Sequence, residues 1–229
     1  MNKLRVIGDV HGSISKRLRL PDVPSYIEIV DDLDADDYSV QVGDLGFDYS
    51  ELSLLDPEQD KFFYGNHDNL DTYYDSPNAL GDYGMVNLGP WGFFFVRGAI
   101  SIDMESRKRV EAKGLGKCWW AGEELSYREA ALCFEEYRDA KPDVVMSHDC
   151  PATISKMIGV PGILEAFGFK KDFVSQSQNL LEQMFIVHQP KLWIFGHYHK
   201  SHDFTYKGCR FMCLAEREYV DFNEKWVVV

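Results

Sequence analysis

The stretch Leu4-Arg5-Val6-Ile7-Gly8-Asp9-Val10-His11-Gly12 decides how the chain is read. A short apolar run reads as a strand buried on both faces, and the Gly-Asp-x-His-Gly that follows reads as a tight polar turn. The same arrangement recurs four times. Ser39 to Val42 leads into Gly43-Asp44, and Lys61 to Tyr64 into Gly65-Asn66-His67-Asp68. Asp143 to Met146 leads into Ser147-His148-Asp149, and Lys191 to Phe195 into Gly196-His197-Tyr198-His199. In layered α/β folds, ligands gather beyond the carboxyl ends of such strands. Five strands ending at one sheet edge would bring these distant residues together.

Helical periods fill the intervals. Glu124 to Asp139 is predicted as an amphipathic helix with Leu125, Leu132, Phe134 and Tyr137 toward the core, and Ser126 with Glu129 as its capping box. Lys171 to His188 is predicted as a second helix, with Leu180, Leu181, Met184, Phe185 and Val187 as its apolar positions. Pro142 and Pro190 end these helices. Phe93 to Val96, Ala99 to Ile102 and the segments from Phe204 onward read as antiparallel strands, Val86 to Ile102 forming a hairpin of a second sheet.

The composition sets limits on function. With 229 residues and 45% hydrophobic content the chain can bury a sizeable core, and no repeat or flexible linker divides it, so a single domain over 1–229 is expected. No apolar run approaches the roughly 20 residues that span a bilayer. Met1-Asn2-Lys3-Leu4-Arg5 runs into Asp9 and His11, not into the apolar region of a signal peptide. The five cysteines are odd in number, scattered and free of any C-x-x-C pair, which fits a reduced, cytoplasmic chain. Cys150 reads as a small buried thiol near the site. A formal net charge of −13 argues against a nucleic-acid or anionic-lipid partner. Part of that charge lies in the run Asp31 to Asp37, read as a solvated loop because it lacks the Gly and distant Glu of a calcium loop.

Five of the 7 histidines fall in the strand-end motifs. Asp9, His11, Asp44, Asn66, His148, His197 and His199 supply enough nitrogen and oxygen donors for two divalent cations, with His67 to spare. A mixed N/O set without thiolates points first to manganese, with iron, zinc, nickel and cobalt as alternatives. Two such cations can clamp a phosphoryl group and make a nucleophile from water, so a phosphoesterase is expected.

The ordered set D-x-H, G-D, G-N-H-D, H and G-H-x-H, running from Gly8 to His199, resembles the calcineurin-like metallophosphoesterase superfamily. The resemblance implies an α/β (α+β) fold: a four-layer αββα sandwich of two mixed sheets flanked by helices, with a dinuclear site at the C-terminal edge of the strands. It implies that Asp9, His11, Asp44 and His199 hold one metal and that Asp44, Asn66, His148 and His197 hold the other. Asp44 would be the bridge, opposite an attacking hydroxide. His67 would protonate the leaving-group oxygen, with Asp68 orienting or charging its ring, and Asp149 is a candidate to hold a ligand ring. Related enzymes build caps between the last two histidine motifs, which suggests a cap-like insert at about 151–185.

Departures from the family pattern bear on substrate. Members that dephosphorylate proteins read G-D-x-x-D-R-G and then G-N-H-E. Here Gly43-Asp44-Leu45-Gly46-Phe47-Asp48 displaces the second Asp and lacks the Arg, and the third motif ends in Asp68. A phosphodiesterase or nucleotide phosphatase acting on a small phosphate ester is therefore expected ahead of a Ser/Thr protein phosphatase. A processive nuclease ranks lower, and a non-catalytic scaffold on the same fold is the remaining class. Phe47 and Tyr49 read as core or rim aromatics, or as a base-stacking pair. Arg107-Lys108-Arg109 through Lys113, Gly114, Gly116 and Lys117 reads as a basic surface loop, with phosphate reception as its alternative. It follows Gly98-Ala99-Ile100-Ser101, which resembles a family segment near the site. Trp119 and Trp120 read as core, and His188 and His202 as structural or exposed.

Overall fold

The computed structural model describes residues 2–12, 24–159 and 162–229. Met1 of the N-terminal reading, and Val160 and Pro161 of the 151–185 insert, lie outside them. The strands are β1 (Leu4–Ile7), β2 (Tyr38–Gln41), β3 (Asp60–Phe62), β4 (Tyr83–Leu88), β5 (Trp91–Val96), β6 (Val144–Ser147), β7 (Leu192–Phe195), β8 (His202–Tyr206), β9 (Cys209–Cys213) and β10 (Tyr219–Phe222). The α-helices are α1 (Tyr26–Val30), α2 (Leu70–Tyr73), α3 (Met104–Ala112), α4 (Tyr127–Ala140), α5 (Ala152–Ile158), α6 (Ile163–Ala166) and α7 (Gln176–Val187).

Two mixed sheets form, in the orders β10-β1-β2-β3 and β4-β5-β6-β7-β9-β8. The inner strands of each run parallel, and β10, β4 and β8 are antiparallel at the edges. Strand alternation explains the layering. Val144 and Met146 of β6 and Leu192 and Ile194 of β7 pack against Leu4, Val6, Val40 and Val42 of the facing sheet. The opposite faces, with Val145, Trp193 and Phe195, pack against Cys133 and Tyr137 of α4 and Leu181, Met184 and Phe185 of α7. Ile7 and Phe62 meet Tyr26, Ile29 and Val30 of α1 and Tyr73 of α2 on the other side of the molecule. The result is the expected four-layer αββα sandwich.

Five local expectations are corrected. The motif strands do not share one sheet edge: β1, β2 and β3 lie in one sheet, β6 and β7 in the other. β1, β6 and β7 are buried along their whole length and need a second sheet as well as helices to cover them, so the motif loops meet across the seam between sheets. Ala99 to Ile102 is not a strand. The hairpin is β4 with β5, and β6 already occupies the other edge of β5. The chain therefore turns away after Val96, with the Gly98 amide donating to the Tyr64 carbonyl at 2.7 Å.

In α4 the capping box of Ser126 and Glu129 forms, but Leu132 is 52% exposed because Cys133 and Tyr137 set the buried face on the far side. In α7, Leu180, Leu181, Met184 and Phe185 are buried, whereas Val187 sits at the helix end, off that stripe, and is 42% exposed. The acidic run is a turn, yet not wholly solvated. Asp37 is buried and accepts the amides of Lys3 and Asp34 at 2.9 and 3.0 Å, and Asp32 pairs with the buried Arg5.

Phe185→Ala is expected to cost about 3–5 kcal/mol of stability by cavity formation, and Val187→Ala no more than about 0.5 kcal/mol. Urea unfolding midpoints at a common slope measure both.

Candidate metal centre and active site

Because the inner strands of both sheets run parallel, the loops after β1, β2, β3, β6 and β7 emerge on one side and converge. Two groups of donor atoms result, each with all its atoms within 4.8 Å of one another: Asp9, His11, Asp44 and His199, and Asp44, His148 and His197. In the first group His199 Nε2 lies 3.1 Å from Asp9 Oδ2 and 3.2 Å from His11 Nε2. In the second, His148 Nε2 lies 3.2 Å from Asp44 Oδ1 and 3.1 Å from Asn66 Oδ1, so Asn66 joins it. Cations bound at roughly 2.1 Å put neighbouring ligands about 3 Å apart, which is the spacing found here.

Asp44 belongs to both groups. It is fully buried, with Oδ1 toward His148 and Oδ2 toward His11 Nε2 at 3.8 Å. Among the described residues, Asp44 Oδ2 and His11 Nδ1 are buried and find no hydrogen-bond partner. Burial alone would raise the Asp44 carboxyl, but the His148, His67 and His11 imidazoles hold it well below its usual range. Burial opposes a charge on His148 too, yet the Asp44 and Asp9 carboxylates push its pKa up to about 10. The Asp44 and Asp9 carboxylates thus draw positive charge onto His148, a place divalent cations would fill. The donor types, their spacing and the orphaned Asp44 oxygen all fit a pair of cations.

The surrounding backbone holds these side chains in place. His148 Nδ1 donates to the Val42 carbonyl at 2.9 Å, which fixes the tautomer that leaves Nε2 facing the cluster. Both Asp9 oxygens accept the His197 amide, at 3.0 and 3.1 Å. A Cβ at Gly196 would sit 2.2 Å from Asp9 Oδ1, so only glycine admits this approach. His11, Asp44, His197 and His199 all have positive φ, between 51° and 67°. Four non-glycine residues in the left-handed region, all in one cluster, mark strain held by the fold.

The expected place of Asp68 is corrected. Its carboxylate turns from the His67 ring to three amides: Gly65 at 2.7 Å, Gly46 at 2.8 Å and Asp44 at 2.9 Å. It ties the second motif loop to the third. Burial and the Asp44 charge raise its pKa while those amides oppose the shift. His67 is half-buried, edge-on to His11 with ring centroids 4.9 Å apart. Its charge neighbour is Arg107, whose Nη2 donates to the ring. Burial pushes the His67 pKa well below its ordinary value, with Asp44 opposing and Arg107 adding to the depression.

Arg107 also corrects the reading of the basic segment. Met104–Ala112 is helix α3, and Arg107 faces inward and is buried. In the sequence Arg107 stands only as part of a basic segment, and three other side chains have no assigned role. Ser101 Oγ accepts from Asn66 Nδ2 at 3.2 Å and donates to Glu123 at 2.6 Å, which aims Asn66 Oδ1 into the second group. Glu216 Oε1 lies 3.0 Å from His199 Nδ1, the carboxylate partner common behind metal-binding imidazoles. The sequence signals were Arg107 in the basic segment, for which phosphate reception was the alternative, and Ser101 at the end of the Gly98–Ser101 segment.

The remaining candidates serve packing. Asp149 accepts from Tyr198 Oη at 2.7 Å and from the Cys150 amide at 2.8 Å, which braces the residue between the two histidines of the last motif, and its charge also reaches the His197 ring. Cys150 is buried and donates to Tyr198 Oη at 3.6 Å. Tyr49 Oη accepts the Asn69 amide at 2.9 Å, and its ring packs on Phe62. Phe47 packs on Trp120, which is buried, while Trp119 is half-buried. His188 bonds the Pro142 carbonyl at 2.9 Å, and His202 is half-buried on β8.

The model of the calcineurin-like phosphoesterase family matches residues 3–201. The chain belongs to this family, and is thereby a hydrolase of phosphoric esters. No curated protein matches it in sequence. Among solved structures, phosphopantetheinyl hydrolase of Mycobacterium tuberculosis is 15% identical with a TM-score of 0.46, over 94% of this chain and 90% of that one. A dimetal phosphatase from Danio rerio is 12% identical with a TM-score of 0.49, over 96% and 91%. Vacuolar protein sorting 29 from Cryptosporidium parvum is 14% identical with a TM-score of 0.42, over 94% and 74%.

Glu216→Gln is expected to weaken manganese binding by roughly 10–100-fold at the first group while sparing the second. Asp44→Asn, which touches both, is expected to weaken both. Calorimetric titration with manganese separates the two patterns; equal effects of the two variants would contradict the assignment of Glu216 to one group.

Proposed function

We propose that the chain is a two-metal phosphoesterase whose substrate is a phosphodiester or a nucleotide phosphate. The observation that carries this reading is Asp44, buried between the sheets with one carboxylate oxygen toward each donor group. Bound there, two divalent cations, manganese first among the candidates, would supply Lewis-acid stabilisation of the phosphoryl group and a water of lowered pKa.

The chain's own residues provide the rest. Asp9, His11 and His199 on one side, and Asn66, His148 and His197 on the other, hold and orient the cations that Asp44 spans. His67 is the candidate proton donor to the leaving oxygen; burial and Arg107 depress its pKa, and the Asp44 carboxylate is the group that favours its protonated form. The absence of an Arg from the second motif supports a small ester over a phosphoprotein. A single domain is supported by the segment at about 151–185, whose Ile154, Ile158, Leu181, Met184 and Phe185 share one core cluster with β6 and β7. The five thiols, all free, support a reducing compartment such as the cytoplasm. No described helix is long and apolar enough to cross a membrane.

Hydrolysis of bis-p-nitrophenyl phosphate and of a nucleoside monophosphate, with manganese and then with chelator, tests the reading. Turnover of either, abolished by chelator, is expected; inertness on both with manganese bound would return the scaffold alternative. His67→Asn is expected to keep manganese stoichiometry and lower turnover of poor leaving groups by roughly 10²–10⁴-fold. A loss below tenfold would remove the proton-donor role.

A further inference from the structure

We propose that Arg107 is a substrate-binding residue: its Nη2 arm takes a non-bridging oxygen of the phosphoryl group beside His67. The inference rests on the phosphoesterase reading above and names the group that grips its substrate.

The side chain is built in, with an exposure of 6%. Its Nε pairs with Asp103 Oδ1 at 2.8 Å, one helical turn back along α3. Its Nη1 donates to the Asn66 carbonyl at 2.9 Å and to the Cys118 carbonyl at 3.4 Å. A guanidinium has five N–H donors in a rigid fork, and these three bonds fix the fork's plane. The two N–H groups on Nη2 remain, and among the described residues they meet only the His67 ring, at Nδ1 (3.0 Å) and at Nε2.

Neighbouring basic residues are disposed differently. Lys108 stacks over Trp119 at 4.2 Å, Lys117 pairs with Asp71 at 2.6 Å on the surface, and Arg109 is exposed. A structural arginine could have been satisfied by any buried carboxylate. This one is anchored to the main chain of Asn66, whose own side chain belongs to the second donor group, and it directs its remaining donors to the leaving-group side. Arg forks match phosphate oxygens geometrically and stay charged when buried. The second motif carries no arginine, so the cation reaches the site from a different element. Because Coulomb attraction scales with charge, a phosphomonoester dianion depends on this contact more than a diester monoanion does.

The test uses inorganic phosphate as probe, titrated calorimetrically into the manganese-loaded protein and into R107K, R107Q and R107A. Wild type is expected to bind phosphate. R107A and R107Q are expected to bind it roughly 10–100-fold more weakly with manganese stoichiometry unchanged, and R107K to recover part of the loss. In turnover, KM for p-nitrophenyl phosphate should rise more than KM for bis-p-nitrophenyl phosphate. Undiminished phosphate binding in R107A would overturn the inference, as would loss of manganese together with phosphate that R107K does not restore. Phosphate binding that depends on Arg107, in a protein that turns over no ester, would leave this assignment standing and sink the catalytic reading instead.

Discussion

The Asp44 carboxylate has no solvent exposure and lies where the loops of two sheets meet. A buried carboxylate is tolerated only when it is paired or coordinates a cation. Imidazoles from both sheets, His11 and His148, face it, and His148 is held in turn by the Val42 carbonyl. The oxygen left without a partner at Asp44, and the imidazole charge drawn onto His148, show one unmet demand for positive charge. A pair of divalent cations would meet it, as the proposed two-metal reading requires.

The fold stiffens this arrangement with bonds that carry no chemistry of their own. Asp68 joins three amides of two loops. Asp9 accepts the His197 amide and the Arg217 amide donates to the Asp9 carbonyl, so the end of β1 is sewn to the loops after β7 and β9. With four of the donor residues in left-handed backbone, the cluster is strained and is sustained by its surroundings. Ser101, Glu123 and Glu216 add an outer ring of orientation around Asn66 and His199. The motif residues are therefore half of the site; the bonds that aim them are the other half.

The strands and the donor set were legible because their signals are local. An apolar run followed by glycine and a polar turn announces a buried strand and its loop at the same time, and β1 falls on Leu4–Ile7 as read. Leu132 and Val187 were assigned to the core on hydrophobicity, but a helix has one buried stripe, whose direction depends on what packs beside it. Ala99–Ile102 has strand composition and no free edge to join. Arg107 looked like one more surface cation in a basic run; only the packing of α3 against the Asn66 loop distinguishes it from Lys108 and Arg109.

By itself the sequence determined the order of strands and motifs, the donor types and thus the class of cation, because these are set by residue identity and short-range spacing. It also determined that acidic charge dominates the surface. Tertiary structure alone decided which sheet each motif strand joins, that Asp68 serves backbone amides and not His67, and that Arg107, Ser101, Glu123 and Glu216 belong to the site. The reason is physical. Covalent neighbours fix what a residue can donate or accept, whereas its partner is fixed by packing between elements far apart in the chain, and in this protein the site lies along the seam between two such packings.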